Sequence, residues 1–223
     1  MFFPIGDQNV IGGHKPYVSY ALIVMNVAVF LFQVSLPSDQ VVGFMMQYGA
    51  IPEVILSGEN WSSLFTSMFL HGGWMHLIGN MLFLWVFADN IEAVVGSRDF
   101  FVFYILGGLA ASLAHIIFNM TSPVPAVGAS GAISAVLGAY LVVFPHSRIK
   151  TLVFYFFVSI PALVFLGLWI VQQVISGIGS IGVSANSGGV AWWAHIGGFV
   201  FCVIAGWIIR RSYHPHEIEP YEA

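Results

Sequence analysis

A serine flanked by glycines opens an otherwise apolar stretch of this chain. The segment 126–140 reads AVGASGAISAVLGAY and contains Gly128-Ala129-Ser130-Gly131. A serine hydroxyl becomes a nucleophile when a nearby base accepts its proton, and an imidazole is the commonest such base. His195 lies in another apolar segment, in the sequence AHIGG. These two residues could form a nucleophile and general-base pair.

Two further polar residues could stabilise the negative charge that such a reaction develops. His76 and Asn80 are four residues apart, so a helix would place both on one face. With the free backbone N–H of Ser130 at a helix start, their side chains could form an oxyanion hole. A third, acidic member is not evident, because Asp89 and Glu92 lie several turns beyond His76. The sequence therefore predicts a Ser–His dyad.

The composition indicates which elements carry these residues. The chain has 223 residues, of which 58% are hydrophobic and only 7% are charged. Such a composition indicates a polytopic membrane protein, and each spanning helix needs about 20 apolar residues. Lengths and the lack of two-residue alternation favour helices, so we expect an all-α bundle with six spans in a single domain, 1–223. The predicted spans are 17–35, 74–95, 100–120, 130–145, 152–176 and 191–209.

The cations predict the orientation of the six spans. With the N-terminus inside, every lysine and arginine falls on the cytoplasmic side, as the positive-inside rule requires. These residues are Lys15, Arg98, Arg148, Lys150, Arg210 and Arg211. Both termini are then cytoplasmic, and a long first loop, 36–73, lies outside with apolar runs too short to span the membrane.

The fourth span is short, which affects the depth of Ser130. Ser130 to Pro145 gives a helix of roughly 23 Å, against a hydrocarbon core of about 30 Å. The turn before Ser130 must therefore dip into the membrane, where Gly128 permits a tight turn and Gly131 permits close approach of another helix. The active site is expected to open to the outer side.

These motifs resemble those of the rhomboid intramembrane serine proteases, and the resemblance covers nearly the whole chain. The matching segments are GASG (128–131), AHIGG (194–198), HLIGN (76–80), FLHGGW (69–74) and EAVVG (92–96). The match is to a minimal six-span, bacterial-type form, which implies residence in a bacterial inner membrane.

The resemblance implies roles for individual residues. Ser130 would be the nucleophile and His195 the base, while His76, Asn80 and the Ser130 amide would stabilise the oxyanion. Substrates would be single-span membrane proteins cut in or near their transmembrane helix.

The resemblance also implies that the last outer loop, 177–190, caps the site and that the fifth span lies near the substrate entry. There are three departures from the family pattern. The arginine found with tryptophan in the first loop of some members is absent around Trp61. Ser134 stands where some members carry an aromatic partner for the histidine, and the four-residue step from Gly198 lands on Cys202.

Other classes of function fit the sequence less well. A transporter would show inverted repeats, and a zinc protease would show His-Glu-x-x-His; neither pattern occurs. The net charge of −4 does not suggest a nucleic-acid partner, and no metal or cofactor is expected. The remaining alternative is a catalytically inactive rhomboid relative that binds membrane proteins without cutting them. The oligomeric state is left open.

Overall fold

The computed structural model describes residues 2–7, 14–181 and 190–212. Within these residues the chain is mostly helical, with one small sheet at one end. The helices are α1 (Tyr17–Ser35), α2 (Ser38–Tyr48), α3 (Pro52–Leu56), α4 (Ser63–Thr66), α5 (Trp74–Val95), α6 (Ser97–Phe118), α7 (Ser130–Val143), α8 (Ala162–Gly179) and α9 (Trp192–Ser212). A 3-10 helix covers Ser67–Phe69, and the strands are β1 (Phe2–Gly6), β2 (Arg148–Val153) and β3 (Phe156–Pro161).

Four helices are long and apolar enough to cross a membrane. They are α1, α5, α6 and α8, and two shorter apolar helical stretches lie at Ser130–Val143 and Trp192–Trp207. The helix bounds of α1 and α5 coincide with the predicted segments 17–35 and 74–95. The chain is an integral membrane protein with several candidate spans.

The predicted fifth span, 152–176, is wrong in its first part. Residues 148–161 form the antiparallel hairpin of β2 and β3, and α8 begins only at Ala162. Pro161 precedes the helix with φ −57° and ψ 140°, so it starts α8 and does not kink it. A short apolar run rich in β-branched and aromatic residues fits a buried helix and a strand equally well, which is why the pattern misled.

The N-terminal segment completes the sheet and corrects the all-α expectation. β1 pairs antiparallel with β2, with Phe2 opposite Val153 and Gly6 opposite Lys150. The strand order is β1-β2-β3, so β2 is the central strand. The fold is therefore a helical bundle with a three-stranded sheet attached between α7 and α8.

Helix α7 is the centre of the bundle. Every residue from Gly131 to Tyr140 is buried, and α7 packs most extensively against α9 and also against α5 and α6. Small residues make this packing possible, because a Cβ on Gly138 would lie 2.5 Å from the carbonyl oxygen of Phe199. Close backbone approach of this kind holds helices together where lipid offers no hydrophobic driving force.

The first loop fixes the irregular segment that leads into α7. Ala50 and Ala126 exchange two backbone hydrogen bonds, of 3.0 and 2.8 Å. The N–H of Gly128 donates to the carbonyl oxygen of Ser67 at 2.9 Å. Buried backbone groups need partners, and these bonds supply them where the chain is neither helix nor strand. The turn before Ser130 is thereby anchored to the first loop.

The start of α1 is bound to the end of α5 through one buried carboxylate. Glu92 accepts hydrogen bonds from the backbone N–H groups of Val18 and Ser19, at 3.0 and 2.8 Å. The hydroxyls of Ser19 and Ser97 donate to the same carboxylate. A negative charge at a helix N-terminus is favourable, and these four donors offset the cost of burying it.

Candidate active site

Ser130 and His195 are in direct contact. The hydroxyl oxygen Oγ of Ser130, the first residue of α7, lies 2.8 Å from Nε2 of His195 in the first turn of α9. Both side chains are partly exposed, so a substrate can reach them. A hydroxyl hydrogen-bonded to an imidazole is the arrangement that general-base activation of a nucleophile needs.

A cleft of about 880 Å³ brings together all four polar residues that the sequence singled out. It is lined by residues of α5, α7, α8 and α9 and of the segment before α7. The polar or aromatic residues among them are Trp74, His76, Asn80, Phe83, Ser130, Ser134, Trp169 and His195.

The protonation of His76 follows from its contact with the chain before α5. Its Nδ1 accepts a hydrogen bond from the backbone N–H of Gly72 at 3.3 Å. A neutral imidazole carries one donor and one acceptor nitrogen, so Nε2 must then carry the proton. Nε2 faces Gly128, two residues before Ser130, since a Cβ built there would lie 2.7 Å from it. His76 therefore presents an N–H donor toward the turn that leads to Ser130.

Asn80 supplies a second donor one helical turn further along α5. Its side chain is buried, and its amide nitrogen Nδ2 has no hydrogen-bond partner among the described residues. This nitrogen would lie 3.5 Å from a Cβ on Gly128. A buried donor without a partner costs free energy, and such groups are typical of sites that a ligand completes.

Three glycines of the predicted motifs, Gly128, Gly131 and Gly198, lie where a side chain would collide. Gly128 has φ +126°, a backbone conformation that favours glycine. A Cβ on Gly131 would lie 2.6 Å from that of Ala111, and one on Gly198 would overlap the carbonyl oxygen of Gly131. Gly198 thus lets α9 approach α7 closely enough for Ser130 to reach His195, and Gly131 lets α7 pack closely against α6.

Sequence reasoning missed a residue that contacts the histidine. Oε1 of Gln173, on α8, lies 2.7 Å from Nδ1 of His195, and Gln173 is 4% exposed. The available signal was a polar amide inside an apolar helix, which is costly in lipid unless it is paired.

With Ser134 at the position expected to differ on α7, the aromatic residues beside His195 are tryptophans of α8 and α9. The rings of Trp169 and Trp192 have centroids 6.0 and 6.3 Å from that of His195. Ser134 instead donates from its hydroxyl to the carbonyl oxygen of Ser130 at 2.6 Å.

His71 lies beside His76 and adds no charge there. Its ring is 5.1 Å from that of His76 between centroids, and its backbone is held by the side chain of Gln33. Burial, helped by the neighbouring His76, lowers the pKa of His71 to about 4, so it is neutral at pH 7.

The proposed cap falls mostly outside the described residues. Of the segment 177–190, residues 182–189 are not described, and Gly177–Gly179 belong to the last turn of α8. Gly177 packs against α9, since a Cβ there would lie 3.0 Å from Cδ1 of Ile196.

The fold and the site define a polytopic membrane protein with a serine–histidine pair in a cleft between helices. Residues 58–212, more than half of the chain, match the family model described as the Rhomboid domain. The chain therefore belongs to the rhomboid family.

Curated relatives come from bacteria and from eukaryotic organelles. The chain is 30% identical over 204 residues to Rhomboid protein 1, mitochondrial, of Saccharomyces cerevisiae, which covers 89% of this chain and 55% of the relative. It is 31% identical over 142 residues to the Rhomboid protease GluP of Bacillus subtilis, and this match covers 64% of this chain and 27% of the relative. It is 29% identical over 166 residues to RHOMBOID-like protein 12, mitochondrial, of Arabidopsis thaliana, and this match covers 67% of this chain and 47% of the relative. The matched regions thus span about half or less of each relative's own length.

Proposed function

We propose that this protein is an intramembrane serine endopeptidase that hydrolyses peptide bonds with a Ser130–His195 dyad. The observation that carries the proposal is the 2.8 Å contact between Oγ of Ser130 and Nε2 of His195 in the cleft. Membership of the rhomboid family and about 30% identity to a rhomboid protease support it.

Acylation would begin with proton transfer within the dyad. His195 accepts the hydroxyl proton as Ser130 attacks the scissile carbonyl, and the tetrahedral intermediate carries its negative charge on the former carbonyl oxygen. Nε2–H of His76, Nδ2 of Asn80 and the backbone N–H of Ser130 would donate to that oxygen. His195 then gives its proton to the leaving amine, which leaves an acyl-enzyme.

Deacylation needs a water molecule beside the ester. A second cavity, of about 30 Å³, adjoins Ser130 and is lined by the polar residues Ser67, Ser112 and His115. A cavity of this size, with several polar partners, is large enough to hold a water molecule. Attack by water, with His195 again as base, would release the second product and regenerate Ser130.

The substrates we propose are single-span membrane proteins. The cleft is lined by Phe83 of α5 and Trp169 of α8, both on helices apolar enough to cross a membrane. A substrate helix could therefore reach Ser130 from the bilayer between α5 and α8. A helix must unwind locally to expose a scissile amide, so glycine or proline near the cleavage site would help. We further propose a bacterial inner membrane, with cytoplasmic termini and a site open to the outer side.

The alternative function is a catalytically inactive relative that binds membrane proteins. It would keep the cleft and lose one member of the dyad. The presence of both Ser130 and His195, in contact, favours the enzyme.

Labelling with a fluorophosphonate separates these two functions. The purified protein in detergent should become covalently labelled, and Ser130→Ala or His195→Ala should abolish both labelling and cleavage of a single-span fluorogenic substrate. Ser57→Ala is the matched control, because this exposed serine lies in the first loop and its hydroxyl donates to the carbonyl oxygen of Val54. An unlabelled wild-type protein, or substantial cleavage by Ser130→Ala, would contradict the proposed mechanism.

A further inference from the structure

Gln173 is a buried amide in an otherwise apolar helix. It is 4% exposed, and Oε1 of its side chain lies 2.7 Å from Nδ1 of His195. Burying an amide without a hydrogen bond is costly in an apolar medium. The contact with His195 offsets part of that cost, and it places the amide beside the nitrogen that does not face Ser130.

The atoms in contact determine which nitrogen of His195 carries the proton. Oε1 is an acceptor only, so Nδ1 must be the donor and carry the hydrogen. In a neutral imidazole Nε2 then has a free lone pair, and Nε2 is the atom that lies 2.8 Å from the Ser130 hydroxyl. This is the tautomer in which His195 can accept the serine proton.

The packing of α8 on α9 holds the imidazole ring in the same geometry. Trp169 precedes Gln173 by one turn, and its ring lies 6.0 Å from those of both His195 and Phe199. Gly177 follows Gln173 by one turn and packs against Ile196. Residues four apart share a helix face, so one face of α8 packs against His195 and against Ile196 and Phe199, which follow it on α9.

We propose that Gln173 is a positioning residue, which holds His195 in the Nδ1-protonated tautomer and orients Nε2 toward Ser130. The inference rests on the proposed function, since the tautomer matters only if His195 is a base. An amide performs this task without a second charge in a medium of low dielectric constant, where an unpaired carboxylate would be costly. The other titratable groups that influence His195 are His76 on α5 and His115 on α6.

Three variants test the proposal on the full chain in detergent. Gln173→Met keeps the length and shape of the side chain but removes the acceptor oxygen. Gln173→Glu keeps an acceptor and adds negative charge. Gln172→Met is the matched control, because Gln172 is the neighbouring residue on α8 and is exposed.

The expected result is a change in kcat and in pH dependence. Gln173→Met should lower kcat by about 10- to 100-fold, the range typical of losing a group that orients a metal-ligating histidine, with KM nearly unchanged. Gln173→Glu should recover much of that activity and move the acid limb of its pH–rate profile to higher pH, because a carboxylate favours the protonated imidazole. Gln172→Met should match the wild type in both respects. Wild-type kcat in Gln173→Met would overturn the proposal, and so would an unshifted profile in Gln173→Glu.

Nitrogen-15 NMR of the histidine rings makes the test independent of turnover. In the wild type at neutral pH, His195 should show a protonated Nδ1 and an unprotonated Nε2, and this pattern should be lost in Gln173→Met. The opposite tautomer in the wild type would overturn the proposal even if Gln173→Met fails to fold. If instead the wild type neither cleaves substrate nor reacts with a fluorophosphonate, the proposed function fails while the NMR result still decides the hydrogen bond.

Discussion

The ring of His76 occupies the space that a side chain on Gly128 would need. A Cβ at position 128 would lie 2.7 Å from Nε2 and 2.8 Å from Cε1 of His76. Gly128 also has φ +126°, so two independent constraints favour glycine at this residue. The absence of a side chain lets a donor nitrogen on α5 approach the turn that precedes Ser130.

Replacing Gly128 by alanine should therefore inactivate the site. The new methyl group would displace His76 or shift the turn, and the backbone strain alone would cost about 1–3 kcal/mol. We expect cleavage to fall by the equivalent of one oxyanion donor, about 10²–10³-fold. Gly167→Ala is the control, because Gly167 lies on α8 with open space around its Cβ position. Equal activities of the two variants would show that Gly128 has no role in shaping the site.

Asn80 should contribute to kcat and much less to KM. Its unpaired Nδ2 is available to a transition-state oxyanion, so Asn80→Ala should lower kcat by up to about 10²–10³-fold, and by less where His76 and the Ser130 amide compensate. Asn80→Asp should be at least as damaging, because it replaces the donor with a charged acceptor. The competing interpretation is an interhelical hydrogen bond. If Asn80 served only that bond, Asn80→Ala would lower the melting temperature and leave kcat of the folded protein intact. The melting temperature and kcat are therefore both measured.

The sequence predicted most of the helices and the four polar residues that line the cleft, because a membrane restricts the length of spans and the placing of polar residues. A span needs about 20 apolar residues, and the stretch Trp74–Val95 has that length, with Gly73 and Gly96 marking its two ends. Polar side chains are energetically costly inside a membrane, and this cost draws attention to four residues: Ser130, His195, His76 and Asn80. The structure does bring these four together in one cleft.

The features that were missed depend on contacts between distant segments. The apolar pattern of the run 148–161 fits a helix as well as a strand. The run forms a sheet because β2 pairs with β3 and with β1. Gln173 lay near the end of the predicted span 152–176, where a polar amide is ordinary. With α8 ending at Gly179, it lies about one turn deeper than expected and faces His195.

Asp7 should make the attachment of β1 dependent on pH. Its carboxylate accepts hydrogen bonds from Asn90 of α5 and Tyr140 of α7. Burial and, to a smaller degree, the nearby charge of Asp89 raise the pKa of Asp7 from 3.8 to about 7, although those hydrogen bonds oppose the shift. A raised pKa means that the folded state binds the proton more tightly than the unfolded state. The associated stability is present in full below pH 3.8 and is lost as the pH rises through about 7.

The variant Asp7→Asn keeps an acceptor oxygen and cannot ionise. From about pH 5 to about pH 8, the melting temperature of the wild type in detergent should decline more steeply than that of Asp7→Asn. The difference between the two slopes isolates Asp7 from the other titrating groups. Parallel slopes would show that Asp7 does not change its protonation on folding.

The orientation of the chain can be tested at two exposed residues on opposite sides of the predicted membrane. All six cations of the sequence fall on one side if both termini are cytoplasmic, and Arg148 and Lys150 lie on the β2 strand of the hairpin. Because positive loops are retained in the cytoplasm, the hairpin should lie inside and the first loop outside. Cys202 is fully buried and is the only cysteine of the sequence, so Cys202→Ser gives a cysteine-free background.

In that background, Ser57→Cys reports on the first loop and Tyr155→Cys on the tip of the hairpin, where the tyrosine is 92% exposed. A membrane-impermeant maleimide added to intact cells should label Ser57→Cys and spare Tyr155→Cys. Inverted vesicles should give the reverse, and both variants should react in detergent, which controls for accessibility within the protein itself. Labelling of Tyr155→Cys in intact cells would show that the chain has the opposite orientation. Ser130 would then meet its substrate from the other side of the membrane. Labelling of neither variant in cells would place the first loop within the lipid, away from the aqueous phase.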